Sequence, residues 1–215
     1  PTPITLRNPI AENMDVMRTS LWPGLLETLV RNLRRQEHRI RLFELGRVFS
    51  LQRGKSIERS CIGGAIFGPA IANQWDGTRA SVDFFDLKGD IEALLSCGGI
   101  HNASRWCSAE TVAALHPGES AEIRLHNMPI GLAGKLHPDL ADHYGLDQPV
   151  YLFELDLEQI LTRKIPHYES VSRFPALSRD LSVVVSGEIM ASQVAREILT
   201  AGGGYLSRIE LFDVY

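Results

Sequence analysis

The sequence predicts an α+β fold built on a largely antiparallel sheet. Segments with the apolar pattern of strands follow one another in hairpin order over residues 121–155, and helical segments are mixed among other strands. Strands in hairpin order favour this class over a doubly wound parallel sheet. Hydrophobic residues make up 44% of the 215-residue chain, which is enough for one large or two small domains.

A helix and two strands are predicted in the first third of the chain. Ser20 can cap a helix that begins near Pro23, a residue tolerated in the first helical turn. Apolar side chains recur on one face of this helix, at Leu21, Leu25, Leu26, Leu29, Val30 and Leu33. Residues 40–49 are predicted as a strand with Gly46 as a candidate bulge, and residues 61–67 as a second strand.

The middle of the chain predicts a helix followed by a meander. Asp83 or Asp86 can start a helix that ends at the Gly98-Gly99 pair. Three strands are then predicted, at residues 121–125, 130–136 and 150–155. A turn over residues 126–129 joins the first two of these strands, and a short helix is expected after Pro138.

A change in composition divides the chain. Residues 162–172 form a polar stretch with one proline, which is typical of a linker. Beyond it we expect a strand, a helix and a strand, at residues 181–185, 191–201 and 206–214. The three glycines at 202–204 are expected to form the turn before the last strand. We therefore predict one domain over residues 1–165 and another over residues 172–215.

Composition excludes several classes of protein. No run approaches the roughly 18 apolar residues that a membrane span needs, and residues 1–4 (Pro-Thr-Pro-Ile) do not have the pattern of a signal peptide. The net charge of −4 argues against a protein that coats nucleic acid over its whole surface. Three cysteines without Cys-x-x-Cys spacing favour free thiols in a reducing cytoplasm. The chain begins without methionine, so we expect a fragment of a longer protein.

The sequence predicts no metal site and no catalytic residue. The seven histidines show no ligand spacing with a third partner. His116 and His137 each precede a proline, which favours local hydrogen bonding at the ends of loops. A Gly-x-Ser-x-Gly motif is not found in the sequence, so a hydrolase triad has no support.

The strand over residues 41–52, Arg-Leu-Phe-Glu-Leu-Gly-Arg-Val-Phe-Ser-Leu-Gln, resembles the ATP-binding "motif 2" strand of class II aminoacyl-tRNA synthetases. That motif ends in Phe-Arg-x-Glu, and its arginine holds the ATP α-phosphate. The degenerate ATP-site positions are Arg47, Ser50 and Gln52, and the last two stand where the charged residues would be. Loss of one preorganised donor costs about 3 kcal/mol of transition-state stabilisation. We therefore predict that adenylate chemistry does not occur at this strand.

Several blocks together resemble the β-subunit family of bacterial phenylalanyl-tRNA synthetases. They include Met-Arg-Thr-Ser-Leu at 17–21, Phe-Glu-Leu-Gly-Arg at 43–47 and Lys-Leu-His-Pro at 135–138. Further blocks lie, in the order of the family, at residues 8–10, 116–118, 153–156, 174–176, 179–181 and 210–215. Each block is weakly specific, but the ordered set covers most of the chain.

This resemblance implies a class II synthetase-like antiparallel sheet flanked by helices, over residues 1–165, followed by an incomplete ferredoxin-like anticodon-binding domain. It implies a fragment that binds no cofactor or metal, within a holoenzyme that uses ATP and magnesium. The partners implied are an α subunit that carries the active site, in a heterotetramer of two α and two β subunits, and phenylalanine tRNA. An editing module and a magnesium-associated segment would precede residue 1. No membrane partner is implied.

Two groups of residues are candidate contact sites. The arginines at the end of the first helix are expected either to contact phosphate or to form a subunit interface or solvated face, and the second alternative is favoured. These subunit-interface candidates are Arg31, Arg34, Arg35 and Arg39. In the second domain, arginines could contact RNA through their charge and aromatic rings could stack on bases. The RNA-binding candidates are therefore Arg173, Arg179, Arg208, Phe212 and Tyr215. A core position is an equal alternative for Phe174 and Phe212.

Two further expectations concern a ligand pocket in the first domain and the pairing of the strands in the second. A stand-alone ligand-binding or enzymatic domain that reuses the class II fold would need a pocket lined by converging polar groups. In the ferredoxin-like order the third strand lies between the first two, so we expect residues 181–185 and 206–214 to lack neighbours. Residues beyond 172 would then depend on another chain for order, or be mobile.

Overall fold

The computed structural model describes residues 2–11, 14–75, 80–100, 104–109, 112–161, 168 and 173–214. Residue contacts divide the chain into two units, Pro1–His167 and Tyr168–Tyr215. The described part of the first unit contains one six-stranded sheet and four α-helices, and that of the second contains one α-helix.

The first unit is built on an antiparallel sheet, which confirms the predicted class. Its strands are β1 (Ile40–Gln52), β2 (Lys55–Phe67), β3 (Ser104–Ser108), β4 (Leu115–Leu125), β5 (Met128–Leu136) and β6 (Val150–Asp156). The spatial order is β1-β2-β6-β5-β4-β3, and each neighbouring pair is antiparallel. The strands β1 and β3 therefore form opposite edges of the sheet.

Two tight turns fix the hairpins. Arg53 and Gly54 join β1 to β2, and His126 and Asn127 join β4 to β5; all four residues have positive φ angles. Two consecutive residues in this conformation give a turn whose twist matches that of the flanking strands. The predicted turn at residues 126–129 is confirmed, although its last two residues already belong to β5.

The helices of the first unit are α1 (Trp22–Leu33), α2 (Phe84–Cys97), α3 (Pro138–Tyr144) and α4 (Leu157–Ile160). The predicted start of α2 is confirmed in detail. Oδ1 of Asp83 accepts hydrogen bonds from the backbone N–H groups of Phe85 and Asp86, and Oδ2 of Asp86 accepts one from the N–H of Asp83. This reciprocal pair is a capping box, which satisfies amide groups that the helix itself cannot.

Helices cover both faces of the sheet and produce two apolar layers. On one face α1 packs on β1, β2 and β6, with a buried layer that includes Leu25, Leu29, Val48, Cys61 and Leu152. On the other face α2 packs on β5 and β6, with a buried layer that includes Ile62, Leu87, Ile91, Ile123 and Leu155. The central strand β6 is therefore covered on both faces, by α1 on one side and α2 on the other.

Several predicted details of the first unit are wrong. Leu21, not Ser20, is the N-cap of α1, although Oγ of Ser20 accepts a hydrogen bond from the N–H of Trp22 at 3.1 Å. Gly46 is not a bulge, because it pairs with Cys61 in an unbroken register. A Cβ at Gly46 would lie 2.3 Å from Nη2 of Arg18, so the glycine makes room for this side chain.

Two strands begin well before their predicted first residue, and one strand was not predicted. β2 and β4 each begin six residues earlier than expected, and β3 was not predicted. The early part of β4 contains a register shift between Leu115 and Ser120, and polar residues 116–119 interrupt its apolar pattern. Such an irregularity removes the two-residue periodicity on which strand prediction depends.

The second unit contains α5 (Ala191–Gly202), which confirms the predicted helix, and a 3₁₀ turn (Gly203–Tyr205). The strands predicted at residues 181–185 and 206–214 are not formed, since neither segment forms a ladder with another described segment; this agrees with the expectation that both segments lack neighbours. A strand is stabilised by hydrogen bonds to a neighbour. In the ferredoxin-like order these two segments are not neighbours of each other, so local sequence preference alone did not produce a sheet.

No helix in the described ranges has both the length and the apolar character needed to cross a membrane.

Candidate functional site

The candidate nucleotide position lies at the end of β1, an edge strand of the sheet. Ser50 is 6% exposed and shares a face with Val48, which belongs to the layer under α1. Gln52 is exposed and pairs with Lys55 at the hairpin end. The structure therefore places one neutral residue in the core and the other at the turn, with no charge at either position.

Arg47 cannot replace the missing charge. It is three positions from Ser50, so its side chain points to the opposite face of the strand. Its guanidinium forms an ion pair with Glu58 on β2, with Nη1 and Oε1 2.6 Å apart, and the side chain is mostly exposed. An exposed pair of this kind is a surface contact rather than a phosphate-binding site.

Arg18 reaches the face of Ser50 from outside the sheet, but it is already neutralised. Its Nη1 lies 2.6 Å from Oε1 of Glu44, and its Nε donates to the carbonyl oxygen of Arg47 at 2.8 Å. Both contacts hold the guanidinium over Gly46, which provides the space for it. The positive charge of Arg18 thus serves to fix the segment before α1 on β1.

Apolar side chains pack on the same face further along the sheet, where Gly63 pairs with Glu44, six positions before Ser50. A Cβ at Gly63 of β2 would lie 3.2 Å from Cβ of Leu21 and 3.3 Å from Cδ1 of Leu25. Oε2 of Glu154 on β6 accepts hydrogen bonds from Oγ of Ser20 at 2.8 Å and from the N–H of Leu21 at 2.7 Å. The start of α1 is therefore both packed and hydrogen-bonded against the central strands.

Cys61 shows how strongly this face is desolvated. It lies in the same layer, is almost fully buried, and has a pKa raised to about 11, first by burial and then by the charge of Glu154. Its thiol is therefore protonated at neutral pH and is not a nucleophile.

Cavities lie at the other edge of the sheet. Two of them, of about 400 and about 370 Å³, are lined by residues around β3 and β4, and their linings do not include Arg47, Ser50 or Gln52. In the described part of the chain, no group of three or more histidine, cysteine, aspartate or glutamate side chains could hold a metal ion.

The subunit-interface candidates form an exposed basic patch at the end of α1 and in the loop to β1. Arg31, Arg34, Arg35 and Arg39 are all exposed. No carboxylate among the described residues lies within ion-pairing distance of any of these four side chains. Nη2 of Arg39 donates to the carbonyl oxygen of Ala70 at 3.2 Å. The patch is available for an anionic partner.

The RNA-binding candidates of the second unit are exposed where the structure describes them. These are Arg173, Arg179, Arg208 and Phe212; Tyr215 lies outside the described residues. Arg208 pairs with Glu210 at 2.7 Å. Phe174 is 84% exposed and Phe212 is 73% exposed, so the core alternative for these two rings is wrong. Within this unit their rings are on the surface, as stacking on a base requires.

One polar network was not found from the sequence. Glu119 on β4 accepts a hydrogen bond from Nζ of Lys135 on β5 at 2.9 Å and another from the hydroxyl of Tyr151 on β6 at 2.9 Å. Lys135 and Tyr151 stand within otherwise apolar strands, and a polar group in such a setting needs a partner. The need of Lys135 and Tyr151 for a polar partner could therefore have been recognised from the sequence. Glu119 could not be identified as that partner, because it lies at the register shift in β4.

Known families match both units. A model described as the phenylalanyl tRNA synthetase beta chain CLM domain matches residues 1–157. A second model, described as a ferredoxin-fold anticodon binding domain, matches residues 172–215.

Curated relatives match almost the whole chain. The phenylalanine–tRNA ligase beta subunits of Hahella chejuensis, Colwellia psychrerythraea and Pseudomonas fluorescens (strain Pf-5) are 44%, 43% and 40% identical to it. Each alignment covers 99% of this chain but only 26%, 26% and 27% of the relative. The chain thus spans about a quarter of the length of these relatives.

The fold of the sheet is shared with solved synthetases. Crystal structures of a pyrrolysyl-tRNA synthetase from Desulfitobacterium hafniense match with a TM-score of 0.53, covering 74% of this chain and 52% of that chain. At 16% identity this likeness shows a common fold and nothing finer. The family model that matches residues 1–157 shows that the chain belongs to the phenylalanyl-tRNA synthetase beta chain family.

Proposed function

We propose that this chain is a non-catalytic part of the β subunit of phenylalanine–tRNA ligase. It contributes a scaffold, a subunit interface and part of an anticodon-binding domain to the ATP-dependent charging of tRNA with phenylalanine. The first domain of this proposal covers residues 1–165 and the second residues 172–215.

The burial and neutrality of Ser50 carry the proposal. A catalytic strand of this class needs a cation for the α-phosphate and an open space in front of it. Here Ser50 is buried and uncharged, and Gln52 is uncharged at the hairpin end. Arg47 lies on the opposite face in an ion pair with Glu58. A domain of this kind can support a neighbouring subunit but has no means to hold ATP at this strand.

Catalysis is then assigned to the partner. In this proposal ATP, magnesium and phenylalanine bind to the α subunit, within a heterotetramer of two α and two β subunits in the cytoplasm. The patch of Arg31, Arg34, Arg35 and Arg39 serves the subunit interface, because guanidinium groups without carboxylate partners among the described residues can pair with acidic side chains across it.

The second unit is assigned to the tRNA. Arg173, Arg179 and Arg208 supply positive charge, and Phe212 supplies an exposed ring for stacking on a base. Tyr215 is proposed for the same role from its sequence position.

The competing interpretation, a stand-alone enzyme or ligand-binding domain on this fold, has less support. It requires converging polar groups in a cavity at the catalytic position, whereas neither of the two cavities described above is lined by Arg47, Ser50 or Gln52.

Aminoacylation kinetics of the complete enzyme test the proposal. We expect Arg47→Ala and Ser50→Ala to leave kcat/KM for ATP within about twofold of the unaltered enzyme, because neither residue contacts ATP. Arg179→Ala is expected to raise KM for tRNA by about fivefold and to leave the ATP parameters unchanged. A loss of about a hundredfold in kcat/KM for ATP on Arg47→Ala would show that β1 holds the nucleotide.

A further inference from the structure

A cavity of about 400 Å³ lies between the start of α2, the edge strand β3 and its neighbour β4. Its lining includes Asp83, Phe84, Phe85, Trp106, Glu119 and Tyr151. Tyr151 belongs to the layer under α2, so the cavity is on the face of the sheet opposite to Ser50. Its volume falls within the range of small-molecule sites. The cavity plays no part in the function proposed above, and the inference drawn from it goes beyond that function.

Aromatic rings form one wall of the cavity. The Phe84 ring makes edge contacts with Phe85 and Trp106, with centroids 6.0 and 5.9 Å apart and planes close to perpendicular. Nζ of Lys88 lies 5.8 Å from the centroid of the Trp106 ring. Lys88 thus already occupies the cation–π position over Trp106, which leaves Phe84 and Phe85 as the rings open to a further cation. Phe85 is 72% exposed at the edge of the cavity.

Carboxylates outnumber cations around the cavity. Lys135 is paired with Glu119 at 2.9 Å, and Lys88 with Glu92 at 3.6 Å. Asp83 and Asp86 have no cationic partner among the described residues; each accepts only backbone hydrogen bonds in the capping box. Two negative charges therefore remain beside the rings. His116, near Glu119, accepts a hydrogen bond at Nδ1 from the N–H of Gly118 at 3.1 Å.

The negative charges around the cavity raise the pKa of Tyr151. Burial raises the pKa of its hydroxyl, and the hydrogen bond and charge of Glu119 and the charges of Asp83 and Asp86 raise it further. The hydroxyl therefore stays protonated and donates to Glu119. Asp83, Asp86 and Glu119 thus give the wall of the cavity around Tyr151 a negative potential, which favours a bound positive charge.

We propose that this cavity binds a small organic cation that has an apolar or aromatic body. The body would contact Phe84, Phe85 and Trp106, and the cationic group would lie near the carboxylate of Asp83. Ring faces and a carboxylate are the groups that recognise substituted ammonium ions in proteins.

Calorimetric titration of the complete protein with benzyltrimethylammonium tests this proposal, with benzyl alcohol as the uncharged comparison. We expect saturable binding of the cation and at least about threefold weaker binding of the alcohol, because cation–π attraction at exposed sites gives differences of this order. Phe85→Ala removes an exposed ring, and Asp83→Asn removes the charge while asparagine retains the helix cap. Each is expected to weaken binding of the cation by about threefold or more.

Phe43→Ala is the matched control. Phe43 lies on β1 at the opposite edge of the sheet and is 73% exposed, almost the same as Phe85. This variant should bind the cation as the unaltered protein does. Absence of saturable binding, equal binding of cation and alcohol, or binding unchanged in both Phe85→Ala and Asp83→Asn would overturn the proposal. Thermal unfolding shows whether each variant is folded. If either Phe85→Ala or Asp83→Asn does not fold, the binding measured for the other variant tests the proposal.

Discussion

Glu119 joins three neighbouring strands through one carboxylate. Its two oxygens accept hydrogen bonds from Lys135 on β5 and Tyr151 on β6, while its own backbone lies in the irregular part of β4. Burial raises the pKa of Glu119, but the hydrogen bonds from Lys135 and Tyr151 and the charges of Lys135 and His116 outweigh it. The pKa of Glu119 therefore lies below its ordinary value of 4.5.

This shift gives a pH-dependent contribution to stability. A carboxyl group with a lowered pKa stabilises the fold above the pKa of the unfolded chain, and this contribution is lost as pH falls through the lower, folded value. Glu119→Gln should lower the free energy of unfolding at pH 7 by about 0.5 to 1 kcal/mol, a modest amount because solvent screens a partly exposed pair. The difference should decrease as pH falls below 4.5, the ordinary pKa of the group, and vanish once pH has passed the lower, folded value. Denaturant unfolding at several pH values measures it.

Glu58→Gln is the control for this prediction. It breaks the more exposed ion pair with Arg47 and should change stability by less than about 0.5 kcal/mol. A Glu119→Gln difference that persists unchanged at pH 3 would contradict the role given to this carboxylate. The sequence did not reveal this role, because three residues from three strands meet only once the register is known.

At the level of elements, a tightly packed glycine in β2 and an open glycine in α2 test how these elements pack. A Cβ at Gly64 would lie 2.3 Å from Cε1 of Phe153 and 3.0 Å from the carbonyl oxygen of Leu42. A Cβ at Gly89, within α2, would meet no atom within 4 Å. Gly64→Ala should therefore destabilise the protein by about 1 to 3 kcal/mol through overpacking. Gly89→Ala should stabilise it by about 1 kcal/mol because alanine favours the helix.

Chemical denaturation of the two alanine variants checks this prediction under identical conditions. Equal effects of the same sign would mean that the close contact between β2 and β6 at Gly64 is not as tight as described. Neither glycine was singled out from the sequence, since a glycine in a strand and a glycine in a helix differ only through their neighbours in space.

Element prediction succeeded where the periodic pattern was regular. The apolar face of α1, the capping aspartate of α2 and the turn at His126-Asn127 depend on adjacent residues and were found. β3 was missed, and β4 was found only in part, because polar residues interrupt them. The supposed bulge at Gly46 was wrong because the space is required by Arg18, a residue 28 positions away.

For the whole molecule, the antiparallel sheet, its flanking helices and the family were predicted from ordered sequence blocks. The strands expected in the second unit are not formed, because strand formation requires a neighbour that local sequence does not provide. The neutral residues Ser50 and Gln52 could be read from the sequence. That Ser50 is buried while Gln52 is exposed could not, because burial depends on contacts that form only in the folded protein.

Direct titration of the 215-residue chain with ATP and magnesium in a calorimeter tests the central claim, that the strand ending at Ser50 and Gln52 holds no nucleotide. We expect no saturable heat of binding, and the same result for Arg47→Ala, because Ser50 is buried and neither Ser50 nor Gln52 carries a charge that could hold a phosphate. Tight, saturable binding that Arg47→Ala abolishes would contradict it.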